Sequence, residues 1–414
     1  MGSIRFISRT TRAACLIGAA ATVLSAGACG FQIEPDPEFI ARSQGTPLSS
    51  DQATATPASE ERGAARPAGQ VTTPNTARRS GRSLDTRRVA EPAPAIEPAP
   101  ITMPDGQLTR PVIIDRLMVM ATSDVPQVRA NAIEGLERAG ARAESVVALA
   151  LRDENPGVRS VAASVAGRAG LIDLAPTLRA MLDDESPFVR ASAIGALGAL
   201  GRDADPTPLS EMLLTAKSPR LRSHAAFMLG ELGDSSAVPM LKQAWSTPIR
   251  NASEIERRLV RLQIAEALVK LGEDGSIDAI RAALYPARPE ELEATALAVQ
   301  IIGEVRDRGS IDQLIYLSNE ESDRLMPAEV RLAVAGAMAR MGMTEGGFLA
   351  DEYREYANAA VRAQVAVVYG RTGRVEHLPK LRSMLQDSSE LVRVAAAAGA
   401  LDLLSGGATA DAAP

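Results

Sequence analysis

Few residues in this sequence have the types and spacing for chemistry, and most of them stand alone. Histidine occurs only at His224 and His377. Neither has a second His or a Cys at ligand spacing, so no zinc motif forms, and both read as surface histidines. The two cysteines, Cys15 and Cys29, lie near the N-terminal end, and the 385 residues after Cys29 contain none. A disulfide framework, a cysteine ligand cluster and a thiol nucleophile are therefore excluded from that stretch. The segment Gly272-Glu-Asp-Gly-Ser-Ile-Asp278 lacks the alternating ligands and closing Glu of a calcium loop and reads as a turn. Glu320, Glu321 and Asp323 cluster without ligand spacing and read as a solvated loop. No phosphate-binding loop, dinucleotide fingerprint or nucleophile elbow occurs, so no catalytic residue, metal ligand or cofactor is assigned.

Arginine is different, because it recurs in register. An apolar–Arg pair appears at Val128-Arg129, Val158-Arg159, Val189-Arg190, Leu221-Arg222, Val260-Arg261, Val330-Arg331, Val361-Arg362 and Val392-Arg393. In the first seven, Gly follows the apolar residue at the twelfth position: Gly140, Gly170, Gly201, Gly233, Gly272, Gly342 and Gly373. A residue repeated eight times argues for architecture, since a catalytic group need occur only once. A second basic series falls ten residues after the apolar position, at Arg138, Arg168, Lys270, Arg340 and Arg371, with Ala199 and Glu231 interrupting it. Those cations would complement the negative ends of helix dipoles and form a broken basic row along one edge.

The elements that carry these residues must be helices. Hydrophobic residues make up 46% of the chain and aromatics only 3%, so Ala, Leu and Val dominate, and they suit closely packed helices. Ala and Leu recur at helical spacing between each Arg and its Gly, which reads as an amphipathic helix with a left-handed C-cap. A second apolar helix precedes each one, clearest at Pro176-Thr-Leu178, Pro239-Met-Leu241 and Pro379-Lys-Leu381. Pro in a first helical turn is tolerated because that N–H has no intrahelical partner. A degenerate unit over Ala294 to Arg306 fills the long gap after Val260, which gives nine helical hairpins. Extra length over residues 246–256 lies between the two helices of one unit.

These units resemble HEAT repeats, in particular the short kind of the phycobilisome-lyase-like branch. The resemblance rests on the loop acids Asp124, Asp153, Asp184 and Asp387, the Val-Arg pair and the Leu-Gly or Ala-Gly ending, and it covers residues 108–404. It implies an all-α solenoid, a superhelix of stacked hairpins, elongated and with nearest-neighbour energetics. It also implies that Arg129, Arg159, Arg190, Arg222, Arg261, Arg331, Arg362 and Arg393 form a structural ladder with loop acids between adjacent repeats.

The N-terminal end reads differently. Arg5, Arg9 and Arg12 precede a short apolar stretch, Ala13 to Ala28, as in an export signal. Ser25-Ala26-Gly27-Ala28-Cys29 resembles the lipobox of bacterial lipoproteins, which implies cleavage after Ala28 and lipid attachment at Cys29. Gly30, in place of the usual inner-membrane retention Asp, leans towards the outer membrane, facing the periplasm. Residues 29–107 are rich in Pro, Ala, Thr and Arg and read as a disordered tether, with a basic cluster at Arg78, Arg79, Arg82, Arg87 and Arg88. Residues 405–414 read as a disordered tail. The net charge of −6 gives no reason to expect nucleic acid as a partner.

Together these features predict a membrane-tethered, non-catalytic scaffold that binds an unidentified protein. The alternatives are an envelope structural protein that holds an anionic polymer and, by resemblance to the bilin-lyase branch, an enzyme or chaperone.

Overall fold

The computed structural model describes residues 108–410, apart from residue 251 and residues 320–325. The export signal, Cys29, the tether and the Glu320 cluster lie outside the described residues.

Eighteen α-helices alternate between two roles. The first helix of each hairpin is short: α1 Arg110–Met120, α3 Glu144–Ala150, α5 Ala175–Ala180, α7 Thr207–Thr215 and α9 Val238–Ser246. The series continues with α11 Ile277–Ala282, α13 Ile311–Ser318, α15 Gly347–Glu352 and α17 Leu378–Met384. The second helices bear the register arginines: α2 Pro126–Gly135, α4 Pro156–Arg168, α6 Pro187–Ala199, α8 Pro219–Leu232 and α10 Glu254–Lys270. They end with α12 Leu292–Val305, α14 Ala328–Arg340, α16 Ala359–Arg371 and α18 Glu390–Ala410. That makes nine hairpins, and no strand occurs among the described residues.

Each second helix ends for the reason its spacing implies. All seven glycines at the twelfth position have positive φ, between 60° and 92°. In the degenerate sixth unit the same position is Arg306, with φ 54°, the one non-glycine among the described residues in this region. The ninth unit has Leu404 there and no glycine to stop the helix. Its helix therefore runs on to Ala410, where the sequence pattern placed a disordered tail from residue 405.

Consecutive second helices pack side by side through the whole series, from α2 to α18, and α18 then packs against α1 and α2. An elongated array has two uncovered ends; here the last repeat covers the first. The seam has its own bonds. Ser123 Oγ donates to Glu390 Oε2 at 3.0 Å, and Arg116 Nη2 donates to the Leu385 carbonyl at 2.8 Å. Arg138 pairs with Asp402, and Gly135 sits so close to α18 that an added Cβ would lie 2.8 Å from Ala398 Cβ. Open repeat arrays need polar end-caps because their terminal repeats lack a neighbour. Closure supplies that neighbour.

Small residues let the second helices approach this closely. Gly167, Gly230, Gly303 and Gly370 each stand nine residues after the apolar register position. An added Cβ at these sites would fall 2.5–2.8 Å from backbone of Ala196, Ala267, Ala337 and Gly399 on the next repeat. The core is correspondingly made of Ala, Val, Leu and Ile, with Tyr369 its largest fully buried side chain.

Candidate functional site: the arginine ladder and the basic row

At three positions the register arginine reaches the loop acid of the following repeat through both prongs of its fork. Arg129 donates from Nε and Nη2 to Asp153 at 2.8 Å each. Arg159 does the same to Asp184 at 2.9 Å, and Arg362 to Asp387 at 2.8 and 2.9 Å. In each case Nη1 donates to carbonyls of the arginine's own loop, such as Ser123, Asp153 and Tyr356. The acid also shapes its own loop, because Asp153 and Asp184 each accept from the backbone N–H two residues on. Burial works against ionisation of Asp184. The Arg159 fork and the Ser186 amide more than offset that and hold the carboxyl below the usual range.

The other five arginines depart from this pattern. Arg190 donates only to its own loop, to Asp184 O at 2.7 Å and Glu185 O at 3.2 Å. The physical reason is plain: the matching loop position of the next repeat is Ala216, which has no carboxylate. Arg222 donates through Nε to Ala216 O at 2.7 Å, and its Nη1 is buried without an acceptor among the described residues. Here the next helix, α10, starts six residues before its register residue Val260 instead of two. Its extra first turn, capped by Ser253 and Glu256, takes the place of an acid-bearing loop. The added length thus comprises residues 247–253 plus that turn. Arg261 is exposed. Arg331 turns to Glu352 at 3.1 Å and to the Tyr353 hydroxyl. Arg393, at the seam, donates to Asp387 O, Ser388 O and Glu390. Asp124, one of the four loop acids, offers Arg129 its backbone carbonyl at 3.2 Å.

The basic row is also rearranged. Helix dipoles alone would leave its members independent, but the structure pairs four of them with the preceding repeat. Arg168 binds Glu137 at 2.9 Å, Lys270 binds Glu231 at 2.7 Å, Arg340 binds Glu304, and Arg138 binds Asp402 across the seam. Glu231, which breaks the row in sequence, is therefore a partner within it. Burial opposes the charge on Lys270, yet Glu266 and Glu231 outweigh burial and raise its pKa.

Glu134 lies among these cations, buried on α2. Burial pushes its carboxyl up to about 8, against the pull of Arg168, Arg371 and Arg340 and with help from Glu137. A carboxyl raised in the folded state adds stability that is full below its unfolded value and is lost as pH rises through about 8. Glu134→Gln should therefore melt at a higher temperature than the parent at pH 9 and show a much smaller gain at pH 4. Thermal scans at the two pH values check this.

The histidines are not on the surface. His224 and His377 are 4% and 3% exposed. His224 Nε2 lies 3.0 Å from Ser192 Oγ, which in turn lies 2.7 Å from Ser160 Oγ, so three successive second helices share one buried polar chain. Burial pushes His224 down to about 4, despite a backbone bond at Phe188 that favours the charged form. His377 Nδ1 lies 2.8 Å from Thr372 Oγ1, and its ring packs against Gly347 and Tyr369. Both imidazoles are held neutral inside the core. Among the described residues no group of three His, Cys, Asp or Glu is placed to hold a metal ion.

A cycle of helical hairpins tied by arginine–aspartate pairs between neighbours defines an all-α repeat protein. Residues 143–223 and 206–297 match the model of HEAT repeats. The chain thus carries HEAT repeats over residues 143–297. Comparison with curated proteins finds no match. Among solved structures it is similar to the complex of CpcE and CpcF of phycocyanin lyase from Nostoc, at 17% identity and TM-score 0.37, covering 63% of this chain and 99% of that one. It is also similar to human deoxyhypusine hydroxylase, at 18% identity and TM-score 0.32, covering 72% of this chain and 97% of that one.

Proposed function

We propose that this chain is a non-catalytic scaffold for protein–protein interaction, exported and held to a bacterial membrane by lipid on Cys29. One observation carries the scaffold reading. Large apolar side chains left exposed gather on the first helices and their flanking turns. They include Leu149 at 70% and Val375 at 73% exposure, with Tyr285, Ile315, Tyr316 and Phe348 between them in sequence. Exposed apolar and aromatic side chains on a rigid framework suit a partner surface. The charged groups of the basic row, by contrast, are engaged with acids of the neighbouring repeat, which weighs against a polymer track there. No described helix is long and apolar enough to cross a membrane, so attachment in this reading falls to the lipid.

The test uses the full chain as bait on envelope extracts, beside a Leu149→Ser, Phe348→Ser double variant. Specific proteins retained by the parent and lost from the variant support the scaffold. Equal recovery with both, or none with either, contradicts it. Intact-mass analysis of membrane-fraction protein should find a lipid-modified Cys29 at the N-terminus; an unmodified mature chain in the soluble fraction would remove the anchor.

A further inference from the structure

The exposed apolar side chains are not spread evenly around the cycle. Every exposed aromatic among the described residues lies in hairpins six to eight, at Tyr285, Tyr316, Phe348 and Tyr356. Ile315 stands beside Tyr316, and Val375, in the turn before α17, carries the apolar surface into hairpin nine. Beyond hairpin nine the cycle meets α1, since Arg116 on α1 donates to the Leu385 carbonyl at the end of α17. The chain enters α1 from Leu108, so the segment before it arrives two hairpins from Phe348. That segment has a period of its own. From Glu91 to Pro104 it reads Glu-Pro-Ala-Pro-Ala-Ile-Glu-Pro-Ala-Pro-Ile-Thr-Met-Pro, and every third residue from Pro92 (Ala95, Pro98, Ile101 and Pro104) is apolar. A polyproline II helix has three residues per turn, so these side chains would share one face, with Glu91 and Glu97 on another.

We propose that residues 91–104 dock in cis, as a polyproline II strand, across the exposed apolar face of hairpins six to nine. Spacing and length both fit. One turn of such a strand rises roughly 9.3 Å and packed helices lie roughly 8–10 Å apart, so the apolar face sets about one side chain on each hairpin. The fourteen residues span ~43 Å, about four hairpins, and three residues separate Pro104 from Leu108. Aromatic surfaces suit Pro-rich strands, whose stiff backbone loses little entropy on binding. The regulatory consequence rests on the scaffold reading. A partner that uses Phe348 must first displace the segment, so the tether both presents the array and masks it.

The test is made in trans with a labelled peptide of residues 91–104, read by fluorescence anisotropy. Its receptor is the full chain carrying Pro92→Ser, Pro98→Ser and Ile101→Ser, so that no native segment competes. A tethered segment acts at an effective concentration on the order of 1 mM, so a peptide that binds this disabled chain at ~100 μM should bind the parent ~10-fold more weakly. Ile101→Ser in the peptide should weaken binding at least ~5-fold, and Ile96→Ser, on another face, less than ~2-fold. On the array, Phe348→Ser should match the loss from Ile101→Ser, while Leu149→Ser, a similarly exposed change in hairpin two, should bind as the disabled chain does. Both array variants should melt with the parent. No binding to the disabled chain, equal binding to it and to the parent, equal losses for Ile101→Ser and Ile96→Ser, or equal losses for Phe348→Ser and Leu149→Ser would each overturn the docking. A disabled chain that dimerises through Phe348 would give the face to a second copy and overturn it too. In the extract assay, the disabled chain should retain more partner than the parent, and equal recovery would overturn the masking. Partners recovered while the peptide fails to bind would end this inference and leave the scaffold standing. A peptide that binds where no partner is recovered would end the scaffold and leave the docking.

Discussion

Arg159→Ala is expected to lower the unfolding free energy by about 3 kcal/mol, the low end for breaking a buried ion pair from one side. The side chain is nearly enclosed, donates to both oxygens of Asp184, and also ties down its own loop at Asp153 O. Its loss strands a carboxylate between two repeats. Arg190→Ala removes only bonds to two carbonyls, and about 1 kcal/mol or less is expected there. The larger effect should also depend on pH with a definite sign. Asp184 is held below its ordinary pKa when folded. The pair's contribution is therefore full above the unfolded value, ~3.9, and fades as pH falls through the lower folded value. Urea unfolding of both variants at pH 7 and below pH 4 measures the difference. Equal losses for Arg159→Ala and Arg190→Ala would contradict the assignment of ladder partners.

Gly370→Val should cost a further ~3 kcal/mol or more, through overpacking that side-chain motion cannot relieve. The added Cβ would meet the Gly399 backbone, with Cα at 2.5 Å and O at 2.6 Å. Gly373, three residues on, makes the control. It has φ 66° and nothing within 4 Å of an added Cβ, so Gly373→Ala incurs only the left-handed backbone cost of ~1–2 kcal/mol. One glycine serves helix contact and the other serves helix termination. Melting of the two variants side by side distinguishes these roles, and a milder effect at Gly370 would mean that α16 and α18 are not in backbone contact.

Much of the fold was legible because it repeats. The apolar–Arg pair and the glycine twelve residues on marked both the face and the end of each second helix, and the degenerate sixth unit kept the left-handed stop even with Arg306 in the glycine's place. The glycine nine residues on was equally visible in Gly167, Gly230, Gly303 and Gly370, but its meaning needs a neighbouring backbone to lie against. Closure was not legible. It depends on small rotations accumulated over nine repeats, and no local residue pattern records them. The Arg138–Asp402 pair shows this: both residues stand ten positions after their register residue, yet nothing in the sequence says that the first and ninth repeats meet. The histidines misled for a related reason. His224 and His377 look isolated along the chain; Ser192 lies a repeat away from His224 and meets it only when helices are packed, and Thr372 meets His377 across the turn between α16 and α17.

Closure of the repeat cycle, on which the seam and the covered ends depend, can be tested by one cross-link. The described residues contain no cysteine, so Ser123→Cys and Glu390→Cys can be introduced together in a full chain carrying Cys15→Ser and Cys29→Ser. The two native side chains are in hydrogen-bond contact at 3.0 Å although 267 residues separate them. Because Glu390 makes this contact with the far end of its side chain, the thiols are bridged with a short bis-maleimide instead of a direct disulfide, and the double variant should form an intramolecular cross-link in high yield, seen as a shift in gel mobility of the monomer. A control pair within the array, Glu137→Cys with Arg168→Cys, should link to a similar extent. Efficient linking of the control with none between positions 123 and 390 would mean that the array is open.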